Sequence, residues 1–353
     1  MKNNLKILSI GLDKSLFDKQ SDTYWRVSTY ASWVDKYTVI VTTLKSEDKV
    51  NCVKGNFKIL ATNSRNLWGY LLDILRIVGA DHDYDLITVQ DPFLCGLAGV
   101  LIKLIYKIPL NIQIHSEFFT TPYFRSESYF NLFLFFIGLF TVRFADTIRA
   151  RNHRISEYFR DKKCFYVAAP INQTYLSPVA NRKRDKNLVV SVGRDVPQKN
   201  FPLLRRAVAS AGKNLRLEII TGGKGPEELK KIYDRAKLFV LASNHEGWGL
   251  VVLEALARGC PVVMTDTGCA GEIVIDGKTG YVAPVENVTV LADKIKLTLT
   301  DYQKSLSMAL KGRELVIKDC DLINIQQQTQ KMFAATISAR RQQNQEGNPG
   351  PKN

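Results

Sequence analysis

Apolar residues in this chain fall into short continuous runs, separated by longer stretches where they recur every three or four positions. Leu5 to Gly11, Tyr37 to Thr42, Pro109 to His115, Asn187 to Val192, Leu215 to Thr221, Leu238 to Ala242 and Pro261 to Met264 are of the short kind, as is the run opening at Asp85. Each reads as a buried strand. Thr23 to Val34, Gly96 to Tyr106, Phe201 to Ser210 and Leu250 to Ala257 read as helices between them. Asn287 to Ile317 reads as one further helix, and a polar helix follows from Leu322 to Arg341. Strands alternating with helices predict an α/β protein with parallel, doubly wound sheets. Ligands of such sheets collect at the carboxyl ends of the strands, so residues that close strands are the site candidates.

At 353 residues the chain is long enough for two domains. The expected division is an N-terminal domain over 1–170 and a linker over 171–186 that ends in the basic run Arg182–Lys186. A second domain covers 187–318, a terminal helix 319–341, and a disordered tail 342–353 with its Gly-Asn-Pro-Gly-Pro. The formal net charge of +15 points to anionic partners: nucleotide phosphates, nucleic acid or an acidic membrane surface. No nucleic-acid fold signature accompanies it, so nucleic acid is not expected as a partner. The six cysteines form no CxxC pair and no metal-like spacing with the four histidines. They read as reduced thiols of a cytoplasmic protein, with no metal site. Met1 to Lys6 leads straight into a strand, and no signal peptide is expected.

One run stands apart. Tyr129 to Val142 is apolar and aromatic, too short for the roughly 20 residues that span a bilayer. It reads first as a buried helix. The sharper alternative is a helix dipping into an anionic membrane surface beside Arg125, Arg143, Arg149 and Arg151, which would place the protein peripherally on the inner face of the membrane.

The chemistry concentrates around Ser243 to Val263. A buried strand turns at Gly247 and Gly249 into the helix Leu250–Ala257, which ends at Gly259. Glycines let the backbone approach a ligand, and a helix N-terminus directs free N–H groups at an anion. Glu246 and Glu254 frame the turn, and carboxylates accept hydroxyl hydrogen bonds from a sugar or ribose. Earlier, Arg194 and Lys199 lie five apart on a loop between strand and helix, placed to converge on a diphosphate. His115 closes a strand of the first domain.

Glu246-Gly-Trp-Gly-Leu-Val-Val-Leu-Glu254-Ala-Leu-Ala-Arg-Gly-Cys-Pro-Val-Val resembles the E-x7-E signature of glycosyltransferase family 4, and the similarity continues to Gly280. These are retaining enzymes of GT-B fold, with two Rossmann-like domains facing a cleft. Their last helix commonly crosses back to the N-terminal domain, the course implied for the helix over 319–341. The resemblance implies transfer of a sugar from a nucleotide diphosphate sugar to a glycan, lipid or small-molecule acceptor, as in polysaccharide biosynthesis. It implies no cofactor and no catalytic metal. By the same resemblance Arg194 and Lys199 hold the donor phosphates with the Gly249–Leu250 helix start. Glu254 then holds the ribose, Glu246 the sugar, and His115 the sugar from the other domain.

Three departures stand out. The loop after the first strand has no glycine beyond Gly11, leaving Lys14 and Arg26 as cationic candidates there, with solvated surface charge the plainer reading of each. Arg149-Ala150-Arg151-Asn152 stands where the family's strand runs into a Val-Ser pair. Only Pro226 to Glu228 intervene where a further helix and strand are usual, so the C-terminal domain reads as shortened by one helix–strand unit. Two rivals remain. Another GT-B activity is one, although no pyridoxal-phosphate lysine context is seen. A non-catalytic nucleotide-sugar or carbohydrate binder is the other.

Overall fold

The computed structural model describes residues 3–66, 69–179 and 184–346. Positions 180–183, where the basic run of the expected linker begins, and 347–353 in the expected tail lie outside the described residues. The chain divides into two compact units. The first takes the chain up to Val167 together with the C-terminal helix from Ile323, and the second is Ala168–Leu322.

The first unit opens with β1 (Asn3–Gly11), α1 (Asp22–Ala31), β2 (Val34–Val41), β3 (Cys52–Lys54) and β4 (Phe57–Ala61). It continues through α2 (Gly69–Ala80), β5 (Leu86–Val89), α3 (Leu94–Tyr106) and β6 (Leu110–Ile114). The short α4 (Tyr123–Ser126), α5 (Tyr129–Arg143), β7 (Thr147–Ala150), α6 (His153–Tyr158) and β8 (Cys164–Tyr166) complete it. Among the described residues these strands form one eight-stranded sheet in the order β3-β4-β2-β1-β5-β6-β7-β8. β1 pairs in parallel with both β2 and β5, Ile7 standing opposite Tyr37 on one side and Leu86 on the other. Only β3 runs antiparallel to its neighbour, turning into β4 at Gly55, whose φ of 60° is left-handed. The sheet core, with Ile10, Ile87, Val89, Ile112 and Ile148 all buried, follows from central strands that are continuous apolar runs.

The second unit begins with the one-turn α7 (Gln173–Leu176), β9 (Leu188–Val192), α8 (Phe201–Ala211) and β10 (Arg216–Ile220). Then come α9 (Pro226–Arg235), β11 (Leu238–Leu241), α10 (Leu250–Ala257), β12 (Val262–Thr265) and β13 (Tyr281–Ala283). Two helices, α11 (Val288–Thr300) and α12 (Tyr302–Asp319), close it. The five strands are all parallel, in the order β10-β9-β11-β12-β13. The chain passes from β10 to α9 through residues 221–225 with no strand between them. The last helix, α13, spans Leu322–Glu346.

Three expectations change. The helix expected over 287–317 is two, because Asp301 accepts a hydrogen bond from the Lys304 N–H and starts a new helix. α13 continues to Glu346, into the segment expected as tail. And α5 is not a buried helix. Phe135, Gly138, Thr141 and Val142 face the core, while Tyr129, Leu132, Phe133, Phe136, Leu139 and Phe140 are exposed. Among the described residues no helix is long and apolar enough to cross a membrane.

Candidate functional site

In the second unit β9 lies between β10 and β11. The chain winds one way from β9 to β10 and returns on the other side to β11. The carboxyl ends of β9 and β11 therefore part at the switch point where doubly wound sheets open a crevice. The loop leaving β9 starts at Gly193. A Cβ there would lie 2.9 Å from Lys199 Cε, so the lysine stem crosses the loop only because residue 193 is glycine. A single 3-10 turn, Pro197–Lys199, follows, and left-handed Asn200 (φ 45°) caps α8 by accepting from the Leu203 N–H.

The loop leaving β11 is tied to this one. Asn244 N–H donates to the Gln198 carbonyl (2.8 Å), Gln198 Nε2 to the His245 carbonyl (2.8 Å), and Asn200 Nδ2 to Asn244 Oδ1 (2.8 Å). The result brings Lys199 Nζ to Glu246 Oε1 at 2.5 Å, and Ser243 Oγ donates to the same oxygen at 2.7 Å. Both ends of the pair are nearly covered, at 12% and 8% side-chain exposure, so water screens it little. Gly268 supports the loop from below: at φ 55°, a Cβ would come within 2.9 Å of Glu246 Cβ and of the Trp248 carbonyl.

Gly249 (φ 79°) starts α10 at Leu250, and no side chain caps that helix. Its first backbone N–H groups are therefore available to an anion. Glu254, one turn further, is buried, and its Oε2 accepts from Tyr233 Oη at 2.9 Å. Burial, then the Glu254 charge, pushes the Tyr233 phenol well above its ordinary value, so it remains a donor and fixes that carboxylate. Arg194 lies exposed on the β9 loop, and among the described residues its guanidinium makes no hydrogen bond or ion pair. The structure thus brings Lys199 and Glu246 together, sets Gly249, Leu250 and Glu254 on the adjoining helix, and leaves Arg194 reaching outward.

His115 belongs to the first unit. It follows β6 directly and accepts from Arg151 Nε at its Nδ1, 2.9 Å away. Burial, then the charges of Arg151, Arg149 and Arg26, holds its pKa well below the usual histidine value. It is therefore a neutral imidazole whose proton is on Nε2, a hydrogen-bond donor. Lys14 is occupied by an ion pair with Glu47. The partners that the spacing did not disclose are Ser243, Tyr233 and Gln198 in the second unit and, beside His115, Arg151 in the first. Ser243 and Gln198 lie in the two motif loops, next to residues already singled out. Tyr233 and Arg151 come from other elements of their units. All six cysteines are free. Among the described residues no cluster of His, Cys, Asp or Glu is placed to hold a metal ion.

Residues 214–315 match the family model described as glycosyl transferases group 1. A glycogen synthase of Mycobacterium tuberculosis is 33% identical over 128 residues, covering 36% of this chain and 31% of that protein. The chain thus aligns with about a third of the length of that relative. An uncharacterised glycosyltransferase of Methanocaldococcus jannaschii is 25% identical over 273 residues, covering 69% of this chain and 75% of the relative. Among solved structures, sucrose-phosphate synthase from Thermosynechococcus elongatus superposes with a TM-score of 0.79 at 17% identity, over 95% of this chain and all of that one. HepE of Anabaena, in complex with UDP and glucose, gives 0.72 at 18% identity over 94% of this chain and all of HepE. At such identities the likeness shows the fold: two Rossmann-like domains of the GT-B kind.

Proposed function

We propose that the chain is a glycosyltransferase of family 4 type, moving a sugar from a nucleotide diphosphate sugar to a glycan, lipid or small-molecule acceptor with retention of anomeric configuration. The observation that carries this reading is the buried Lys199–Glu246 pair at the β9/β11 switch point, beside an uncapped helix start. As the glycosidic bond breaks, negative charge grows on the departing diphosphate and positive charge on the sugar ring. Arg194, Lys199 and the Gly249–Leu250 N–H groups serve the first, and Glu246 the second. Tyr233 holds the Glu254 carboxylate for the ribose hydroxyls, and His115 offers Nε2–H to the sugar. The UDP and UDP-glucose named with the HepE structures make a uridine diphosphate sugar the first donor to try.

The test is a pair of substitutions. Glu246→Gln keeps the shape and an acceptor but removes the charge facing the sugar. Turnover should fall by about a hundred- to a thousandfold, while calorimetry shows nucleotide diphosphate affinity little changed or tighter, because Lys199 loses its competing partner. Arg194→Ala should instead weaken the nucleotide by about 1.5–3 kcal/mol, one charge-assisted bond. Equal loss of nucleotide affinity in both variants overturns this division of roles. Tight nucleotide-sugar binding with no turnover in the parent, donor and acceptor both supplied, selects the non-catalytic binder. A binder is the reading that the direct β10-to-α9 passage favours, since the usual extra helix–strand unit is not there.

A further inference from the structure

Among the described residues of the first unit, the Arg149-Ala150-Arg151 segment touches the residues proposed above only through the Arg151–His115 hydrogen bond. Residues two apart on a strand share a face, so both arginines emerge on one side at the carboxyl end of β7. Arg149 is 2% exposed and donates to Tyr30 Oη (3.1 Å), Gln113 Oε1 (3.3 Å) and the Val167 carbonyl (3.4 Å). Tyr30 lies on α1, one turn beyond Arg26, whose Nη2 among the described residues donates to Thr23 Oγ1 at 3.3 Å. Arg151 gives its Nε to His115 and meets the Tyr30 hydroxyl, yet among the described residues its Nη1 is buried with no hydrogen-bond partner. The carboxylate nearest in sequence to these groups, Glu117, is engaged by Asn152 and Arg154.

Buried guanidinium groups are ordinarily matched by a carboxylate or fully hydrogen-bonded, because an unmatched one is strongly destabilising. Here one buried guanidinium nitrogen, Arg151 Nη1, is left open beside two further guanidiniums and a neutral histidine. The crowding shows in Arg151 itself, whose pKa is lowered to about 9 by burial and then by Arg149. It is still a cation at neutral pH. A guanidinium fork with two supporting positive charges fits a tetrahedral oxyanion, which accepts two N–H bonds at once.

We propose that Arg26, Arg149 and Arg151 form an oxyanion site in the first unit that takes the phosphate group of a phosphate monoester. That this ester is the acceptor rests on the glycosyltransferase reading; the site itself does not. Arg149 and Arg151 are the stretch that departs from the sequence pattern discussed above, so the site belongs to this chain's own specificity.

The experiment titrates the full chain with inorganic phosphate, with glycerol phosphate as a simple monoester, and with UDP, by calorimetry at fixed ionic strength. Parent, Arg151→Gln, Arg26→Gln and Arg194→Ala are compared, with circular dichroism checking that each is folded. Arg151→Gln and Arg26→Gln should each weaken phosphate and glycerol phosphate by about ten- to a hundredfold and leave UDP unchanged. Arg194→Ala should do the reverse. If Arg151→Gln weakens UDP as much as phosphate, the anion there is the donor's diphosphate and the acceptor assignment fails. No saturable phosphate binding in the parent, or equal displacement by sodium chloride, overturns the site. Sugar turnover separates the two ideas: phosphate binding at Arg151 without turnover refutes the transferase alone, and turnover without phosphate binding refutes this site alone.

Discussion

At the scale of single residues, the histidine after β6 shows how environment fixes chemistry. His115 sits among three guanidiniums and lends Nδ1 to one of them, so taking up a proton would break that hydrogen bond and add a fourth positive charge. Its folded pKa is depressed, whereas the unfolded chain has the ordinary value of about 6.5. Below that pH the unfolded state binds a proton the folded state refuses. The contribution to stability is therefore whole above about 6.5 and is lost as pH falls toward the folded value. His115→Asn should show a shallower decline than the parent when urea unfolding is followed from pH 7 to pH 5. A parent curve no steeper than the variant's would mean that the imidazole titrates freely. Much of the residue-level site was legible beforehand, because Glu246, Glu254, Gly249, Arg194 and Lys199 lie in short contiguous motifs. Tyr233 and Arg151 were not. Each acquires its meaning from a partner brought by the fold, Glu254 from α10 and His115 from β6, and local spacing carries no record of such pairing.

At the scale of elements, α5 is the helix whose sequence misleads. It is apolar on every face, which ordinarily marks a buried helix. The fold covers only the Phe135, Gly138 and Thr141 side and leaves Tyr129, Leu132, Phe133, Phe136, Leu139 and Phe140 open, spaced three and four apart along one stripe. Phe133 and Phe136 are 55% and 60% exposed, too much contiguous apolar surface for an incidental patch. Arg143 stands exposed in the last turn, and Arg125, over the Phe135 ring, flanks the start. We propose that this stripe lies in the interface of an anionic bilayer, the aromatic side inserted and the arginines at headgroup level. Sedimentation with phosphatidylglycerol vesicles should retain the protein at low salt and release it as salt is added. A Phe133→Glu, Phe136→Glu double variant should stay in the supernatant while its circular dichroism is unchanged. Retention of that variant, or none of the parent, would leave the stripe without a membrane role. Sequence pattern predicted a helix here correctly; it could not say which neighbours would reach it. The break at Asp301 is the same lesson in reverse, since the capping aspartate lies inside an unbroken apolar period.

At the scale of the whole chain, the parallel strands at the centre of each sheet were legible because strands buried on both faces are written as continuous apolar runs. Only the GT-B resemblance implied a last helix that crosses back to the N-terminal domain; the mostly polar sequence of α13 does not itself disclose which unit it joins. Its buried positions, Ile325, Thr329, Met332, Phe333 and Thr336, nevertheless recur at helical spacing, and from Ile323 onward it belongs to the first unit. It also ends a chain of buried hydrogen bonds. Gln113 Nε2 donates to Thr88 Oγ1 (2.7 Å), Thr88 to Asn111 Oδ1 (3.0 Å), and Asn111 Nδ2 to Thr147 Oγ1 (2.9 Å), which meets Thr336 Oγ1 at 2.5 Å. Lys163 Nζ adds a bond to the Ala335 carbonyl. Ending the chain at Leu322 would uncover Met332 and Phe333, each worth about 2–5 kcal/mol as a buried side chain, and would strip the terminal member from a buried network. Together these approach the 5–15 kcal/mol that holds a domain folded. The truncated protein should therefore lose the melting transition of its first unit in calorimetry while keeping that of the second, and should still bind UDP through Arg194 and Lys199. Thr336→Val in the full chain is the finer probe: it keeps the shape, removes one hydroxyl from the network, and should lower stability by about 1–3 kcal/mol. Two intact transitions in the truncated chain would show that the first sheet closes its own core without α13.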